Sequence, residues 1–258
     1  MYNPIVRTDY HSLPVLKRDE IDDIAERFTH FFTSCKPPAV RDYQPDVFTN
    51  PTAIDIDGFL EGYLKATPDY QYLSNNMIYL GMTVFQDTNS IPVFNPYKNE
   101  AEYFSAKANT VIFDTRLVEE ANQEHRYRFT AGHECGHLIF HRPYFLRQHR
   151  LRMQFGIDDD IILQCRRTDL PGAQKGRLKT DSDWLEWQAN QFSGSFLMPK
   201  SAVMAIVNDY GTTPAGVYRA LNEIEETFNM STEAVINRLR NLGVLKAAVK
   251  DTTIPLLF

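Results

Sequence analysis

Phe129-Thr-Ala-Gly-His-Glu-Cys-Gly-His-Leu-Ile-Phe140 is the stretch on which the reading of this 258-residue chain turns. It contains the pattern His-Glu-x-x-His. It falls in a run through Ile139 that no proline interrupts and that keeps helical spacing, with Asn122 placed to cap it and Pro143 to limit it. On a helix, His133 and His137 are about 40° apart around the axis and roughly 6 Å apart along it, so both imidazoles reach one ion. Glu134 then stands beside that ion without binding it. Neutral imidazole ligands, an adjacent carboxylate to take a proton from water, and an open coordination position are what hydrolytic zinc chemistry requires.

Catalytic zinc normally has three protein ligands, so a third must come from elsewhere. His141 lies eight residues beyond His133, roughly 12 Å along a helix, too far to share a metal with both other histidines. A second helix is read in Trp184-Leu-Glu-Trp-Gln-Ala-Asn-Gln-Phe-Ser-Gly-Ser-Phe-Leu-Met-Pro199, stopped by Met198-Pro199. There Glu186 and Asn190 stand at i and i+4, so one can bind the ion while the other hydrogen-bonds a ligating histidine. Ala189, Phe192, Phe196 and Leu197 make the remaining face core-like. Tyr127, His141, Tyr144 and His149 are, by residue type, donors for an oxyanion. Cys135 reads as a small buried side chain, and Cys165 as a packed strand residue or an inhibitory metal thiolate.

The two segments together resemble the ImmA/IrrE family of metallopeptidases, whose members pair a His-Glu-x-x-His helix with a downstream Glu-x-x-Ala-Asn-x-Phe-Ala-like helix ending in Leu-Met-Pro. Here the pieces are HECGH and EWQANQFSGSFLMP. PTAIDIDGFLE, from Pro51 to Glu61, is similar to the family's early helix, and FNMSTEAVINRLRNLGVL, residues 228–245, to its C-terminal tail. The resemblance implies a Zn2+ site with His133, His137 and Glu186 as ligands and Glu134 as general base; Asn190 is then the residue behind a ligating histidine. It also implies limited cleavage of a protein substrate, of the helix-turn-helix repressor kind that members cut. Imidazole and carboxylate ligands accept manganese or iron as well, and zinc is the expectation from geometry and family. The chain departs from the family pattern at Ser193 and Gly194, where small apolar residues are usual, and in the length of residues 141–183.

Outward from these helices, Ile21, Ile24, Ala25, Phe28 and Phe32 recur at helical spacing over residues 19–33, until Cys-Lys-Pro-Pro ends the run. Phe59, Leu60, Tyr63 and Leu64 suggest a short helix capped by Asp55 or Asp57. Met77 to Phe85, Ser90 to Phe94 and Thr110 to Phe113 read as strands, and Ile161 to Cys165 as a further strand inside a polar insertion. Thr213-Pro214 opens a helix to about Phe228; Ser231 caps a last one through Asn241, with Gly243 as its stop. The expected fold is α+β, with a helix-borne metal site, a small, mostly antiparallel sheet and a helical C-terminal extension. The expected divisions are residues 1–50, a lead-in and amphipathic helix; 51–200, a catalytic domain with the insertion 141–183; and 201–258, the helical extension.

Charge bears on partners. The formal net charge is -6, which repels phosphate backbones. Residues 141–181 run against this, with nine Lys or Arg against five Asp, a basic stretch that reads first as a solvated loop and otherwise as one suited to an acidic peptide or nucleic acid. The last two helices resemble a helix-turn-helix, and with them comes a rival function, a DNA- or protein-binding regulator that holds a metal without turnover. Residues 201–250 carry five basic and five acidic side chains, whereas a helix docked in a major groove needs a basic excess. Packing or partner binding is therefore the expectation for this tail. Three cysteines without paired spacing, no signal-peptide pattern and no apolar run of about 20 residues point to the cytoplasm and away from membranes.

Overall fold

The computed structural model describes residues 2–34, 47, 48, 50–155, 163–166 and 178–245, the side chains of 34 and 163–166 excepted. Ahead of α1 (Arg18–Ser34), the described chain folds back on itself, with Thr8 bridged antiparallel to Pro14. Ile21, Ala25, Phe28 and Phe32 of α1 are buried, as their helical spacing requires. The expected Cys-Lys-Pro-Pro stop lies outside the described residues. A short helix, α2 (Gly58–Tyr63), closes as a π-helical turn with Phe59, Leu60 and Tyr63 inward. Asp55, rather than Asp57, meets its start, accepting from the Gly58 amide at 2.8 Å.

Among the described residues, six strands follow in two sheets: β1 (Thr67–Gln71), β2 (Tyr79–Val84), β3 (Thr88–Asn95), β4 (Glu100–Ala106), β5 (Thr110–Asp114) and β6 (Leu163–Arg166). The larger sheet has the order β1-β5-β2-β6. Only the β1–β5 pair is parallel, with Thr67 opposite Thr110; β2 runs antiparallel to both β5 and β6. The β3–β4 pair is a separate antiparallel hairpin. The fold is α+β, as read. Sequence reasoning passed over β1, where Pro68 and Asp69 mask a strand that the sheet tolerates at its edge. It also passed over β4, where Glu100 and Glu102 interrupt the apolar pattern of a largely exposed strand.

Helices α3 (Arg116–Glu119), α4 (Glu124–Phe140), α5 (Arg142–Gln154), α6 (Asp181–Leu197), α7 (Lys200–Tyr210), α8 (Pro214–Phe228) and α9 (Thr232–Asn241) complete the described chain. Asn122 does not cap α4. It takes φ +63°, a left-handed conformation that Asn tolerates, and turns the chain two residues before the helix begins. Pro143 both limits α4 and occupies the first turn of α5, a helix the sequence reading left inside its insertion. Pro199 likewise stops α6 and directly precedes α7. The capping box of Thr180 and Asp183 starts α6, while Thr213 and Ser231 cap α8 and α9.

One large core joins α1, α2, one side of the main sheet, α4 and α6 to α9. Phe28 meets Phe192 edge-on at 6.0 Å, and Phe59 packs on Phe196 at 4.2 Å. Burial of each such ring is worth about 1.5–3 kcal/mol, so these contacts seat α6 firmly against α1 and α2. A smaller cluster, including Met82, Val84, Ile91 and Ile112, lies between the sheet's other face and the hairpin.

Candidate metal centre

Three adjacent faces of α4 do three different things. Gly132 and Gly136 face α6. A Cβ on Gly136 would stand 3.0 Å from the Ala189 Cα, and one on Gly132 2.6 Å from Ser193 Oγ, so glycine is what lets the two helices approach this closely. Ser193, where the family pattern favours a small apolar residue, is accommodated because its hydroxyl donates to the Phe129 carbonyl at 2.8 Å.

The next face carries His133 and His137, both fully buried, with their Nε2 atoms 2.8 Å apart. From α6, Glu186 brings Oε2 to 3.1 Å from His133 Nε2 and Oε1 to 3.5 Å from His137 Nε2. The three residues offer ligand atoms within 4.8 Å of one another, a group that could hold a metal ion. Asn190, one turn along α6 from Glu186, places its Oδ1 2.9 Å from His133 Nδ1.

These residues fit a divalent metal. An amide oxygen only accepts, so the proton of His133 sits on Nδ1 and its Nε2 presents a lone pair to the cluster. Burial keeps His137 neutral, its pKa pushed down to about 4. Glu186 Oε2 is buried without an aligned hydrogen bond. Imidazole lone pairs and a carboxylate crowded together away from water are costly unless a cation lies among them. Two histidines and a glutamate are a recurrent catalytic zinc set.

The third face turns Glu134 toward β2. Thr83 Oγ1 donates to Glu134 Oε2 at 2.5 Å, and Oε1 is buried without a partner. Burial pushes the Glu134 carboxyl up to about 7, against the opposing effects of His133 and the Thr83 hydroxyl. Gly81 leaves the room this requires, since a Cβ there would fall 2.5 Å from Oε1. Sequence reasoning missed Gly81 and Thr83 because only the packing of β2 on α4 brings them to a helix about fifty residues away.

His141 is no ligand. It sits behind His137, with the two Nδ1 atoms 2.7 Å apart, and burial pushes its pKa well below the ordinary histidine value. The other donors suggested by type are engaged elsewhere. Tyr127 donates to Asp57 at 2.5 Å, Tyr144 to Asp181 at 3.1 Å, and His149 accepts from Gln86 at 2.8 Å. Cys135 is buried in the core, and the side chain of Cys165 lies outside the described residues.

No curated protein matches the chain. Residues 166–240 match the family model Peptidase_M78, described as the IrrE N-terminal-like domain. The matched segment contains Glu186 and Asn190 but begins beyond the His-Glu-x-x-His helix, so that half of the site stands on its geometry. Over residues 166–240 the chain is therefore similar to the IrrE N-terminal-like domain, and the Glu186 of that segment completes a three-residue group with His133 and His137 of α4.

Proposed function

We propose that this protein is a zinc-dependent endopeptidase that cuts a protein substrate at a limited number of sites. The observation that carries the reading is the convergence of His133 Nε2, His137 Nε2 and the Glu186 carboxylate, with Glu134 poised beside them near neutral pKa. His133, His137 and Glu186 would hold the metal, and the nitrogen and oxygen donor set suits four-coordinate zinc. Zinc, when bound, is a Lewis acid that makes water nucleophilic near neutral pH and polarises the scissile carbonyl.

The chain's own residues account for the remaining chemistry. Glu134 accepts the water proton on its unpartnered Oε1 while the Thr83 hydroxyl holds Oε2, and it then returns that proton to the leaving amine. Asn190 fixes the ring of His133. Family resemblance makes a helix-turn-helix repressor the substrate class to test first. The DNA-binding reading of the tail has less support, since Arg238, one of its basic residues, is buried against Asp22 at 2.6 Å.

The test compares new protein N-termini in cells expressing the wild-type chain or Glu134→Gln, with zinc content measured in both purified proteins. A small set of termini found only with the wild type supports selective proteolysis and names the substrate. Identical termini from two folded, zinc-loaded proteins would sink turnover and favour a binding protein.

A further inference from the structure

His141 is fully buried behind the metal cluster and takes no direct part in it, yet it is linked to the N-terminal segment through a chain of hydrogen bonds. Its Nδ1 lies 2.7 Å from His137 Nδ1 and its Nε2 lies 3.1 Å from Gln188 Oε1. The Gln188 side-chain amide in turn donates to the Pro14 carbonyl at 2.8 Å. The protons can be placed from the far end. The Pro14 carbonyl only accepts, so the nitrogen of Gln188 faces it and the oxygen faces His141. That oxygen also only accepts, so His141 carries its proton on Nε2. A neutral imidazole has one such proton, so His141 Nδ1 is an acceptor, and the proton between the two Nδ1 atoms belongs to His137. His137 is thereby left with its lone pair on Nε2, the atom that faces His133 and Glu186.

We propose that His141 is a positioning residue that, with Gln188 and the Pro14 carbonyl, holds His137 as the Nδ1–H tautomer, so that the N-terminal segment helps set how tightly the cluster holds its metal. The inference rests on the metal-centre reading above. It adds to it a stretch of chain, before α1, that lies outside the segment matching the family. A histidine that merely filled space would also be buried, but its Nε2 would have no need of an acceptor that is itself anchored to backbone from another part of the fold.

Two measurements test this. In zinc-loaded wild-type protein, long-range proton–nitrogen spectra of the imidazoles should show His141 protonated on Nε2 and His137 protonated on Nδ1. Zinc dissociation constants, from competition with a chromophoric chelator, should rise about 10–100-fold in His141→Phe and in Gln188→Met. The double variant should lose little more than either single one, because the two residues act in series. Far-UV circular dichroism of the metal-free proteins reports whether each variant is folded. His141 protonated on Nδ1, unchanged zinc affinity in folded single variants, or losses that add in full would overturn the proposal. The wild-type spectrum decides the matter if a variant does not fold. A folded wild-type protein that binds no zinc would instead defeat the metal-centre reading itself.

Discussion

Glu134 is where residue chemistry is most exposed to test. Replacing it by Gln keeps the shape of the side chain and removes the base, so kcat should fall about 100–10,000-fold while zinc content and fold persist, measured by peptide hydrolysis and metal analysis. The sign of the pH dependence follows from its protonation. Glu134 works as the carboxylate, burial raises its pKa to about 7 in the metal-free protein, and a bound cation favours the charged form. The acid limb of a kcat/KM profile should therefore lie at or below about pH 7, with rate lost as pH falls through it. Thr83→Val removes a hydrogen bond to the carboxylate, which raises the Glu134 pKa further, so that limb should move to higher pH. A limb unmoved in a folded Thr83→Val protein would mean that Glu134 is not the group titrating. His133, Glu134 and His137 could be read in the sequence because one helical turn sets their relation. Thr83 and Gln188 could not, because nothing local ties Thr83 to Glu134 or Gln188 to His141.

At the scale of elements, the site depends on how closely α4 and α6 approach. Gly136→Val would drive a branched side chain into the Ala189 backbone. Overpacking of this kind costs about 1–3 kcal/mol, and here it also moves Glu186 away from the histidines. Lower thermal stability is expected together with zinc affinity weakened at least tenfold; loss of stability with full zinc affinity would show that helix spacing does not govern the site. Helices α8 and α9 were legible from their caps at Thr213 and Ser231, whereas α6 was read from Trp184 and its actual start, the Thr180 capping box before Asp181, went unread. The arginine-rich α5 shows little apolar periodicity, and α7 follows a proline that reads equally as a stop or a start, so both went unread.

The molecule as a whole is tied together by a buried ion pair far apart in sequence. Arg238 on α9 contacts Asp22 on α1 at 2.6 Å, while its Nε donates to the Met198 carbonyl at 3.0 Å and Ser195 donates to the same aspartate at 2.5 Å. Removing one partner leaves a buried charge, so Arg238→Met should destabilise the fold by about 3–5 kcal/mol in denaturant titrations. Adding Asp22→Leu should recover much of that loss. Additive losses in the pair would place the role of Arg238 elsewhere. The last two helices are therefore bound into the main core, although their sequence has the spacing of a helix-turn-helix. Among the described residues no helix is long and apolar enough to cross a membrane.

By itself, the sequence determined the helix that sets His133, Glu134 and His137 on neighbouring faces, because one turn of a single element fixes their spacing; the α+β class came from the mix of helical and strand-like stretches, and the second helix, carrying Glu186 and Asn190, from the need for a third ligand together with the family resemblance. Tertiary structure decided which atoms face each other. It set Glu186, instead of Asn190, against both Nε2 atoms, brought Thr83 to Glu134 and ran a hydrogen-bond chain from Pro14 to His137. Apart from His137 and His141, which are four residues apart, these contacts join residues from roughly fifty to more than a hundred positions apart, and only the packing of α4 against α6, the sheet and the N-terminal segment brings them within hydrogen-bonding distance.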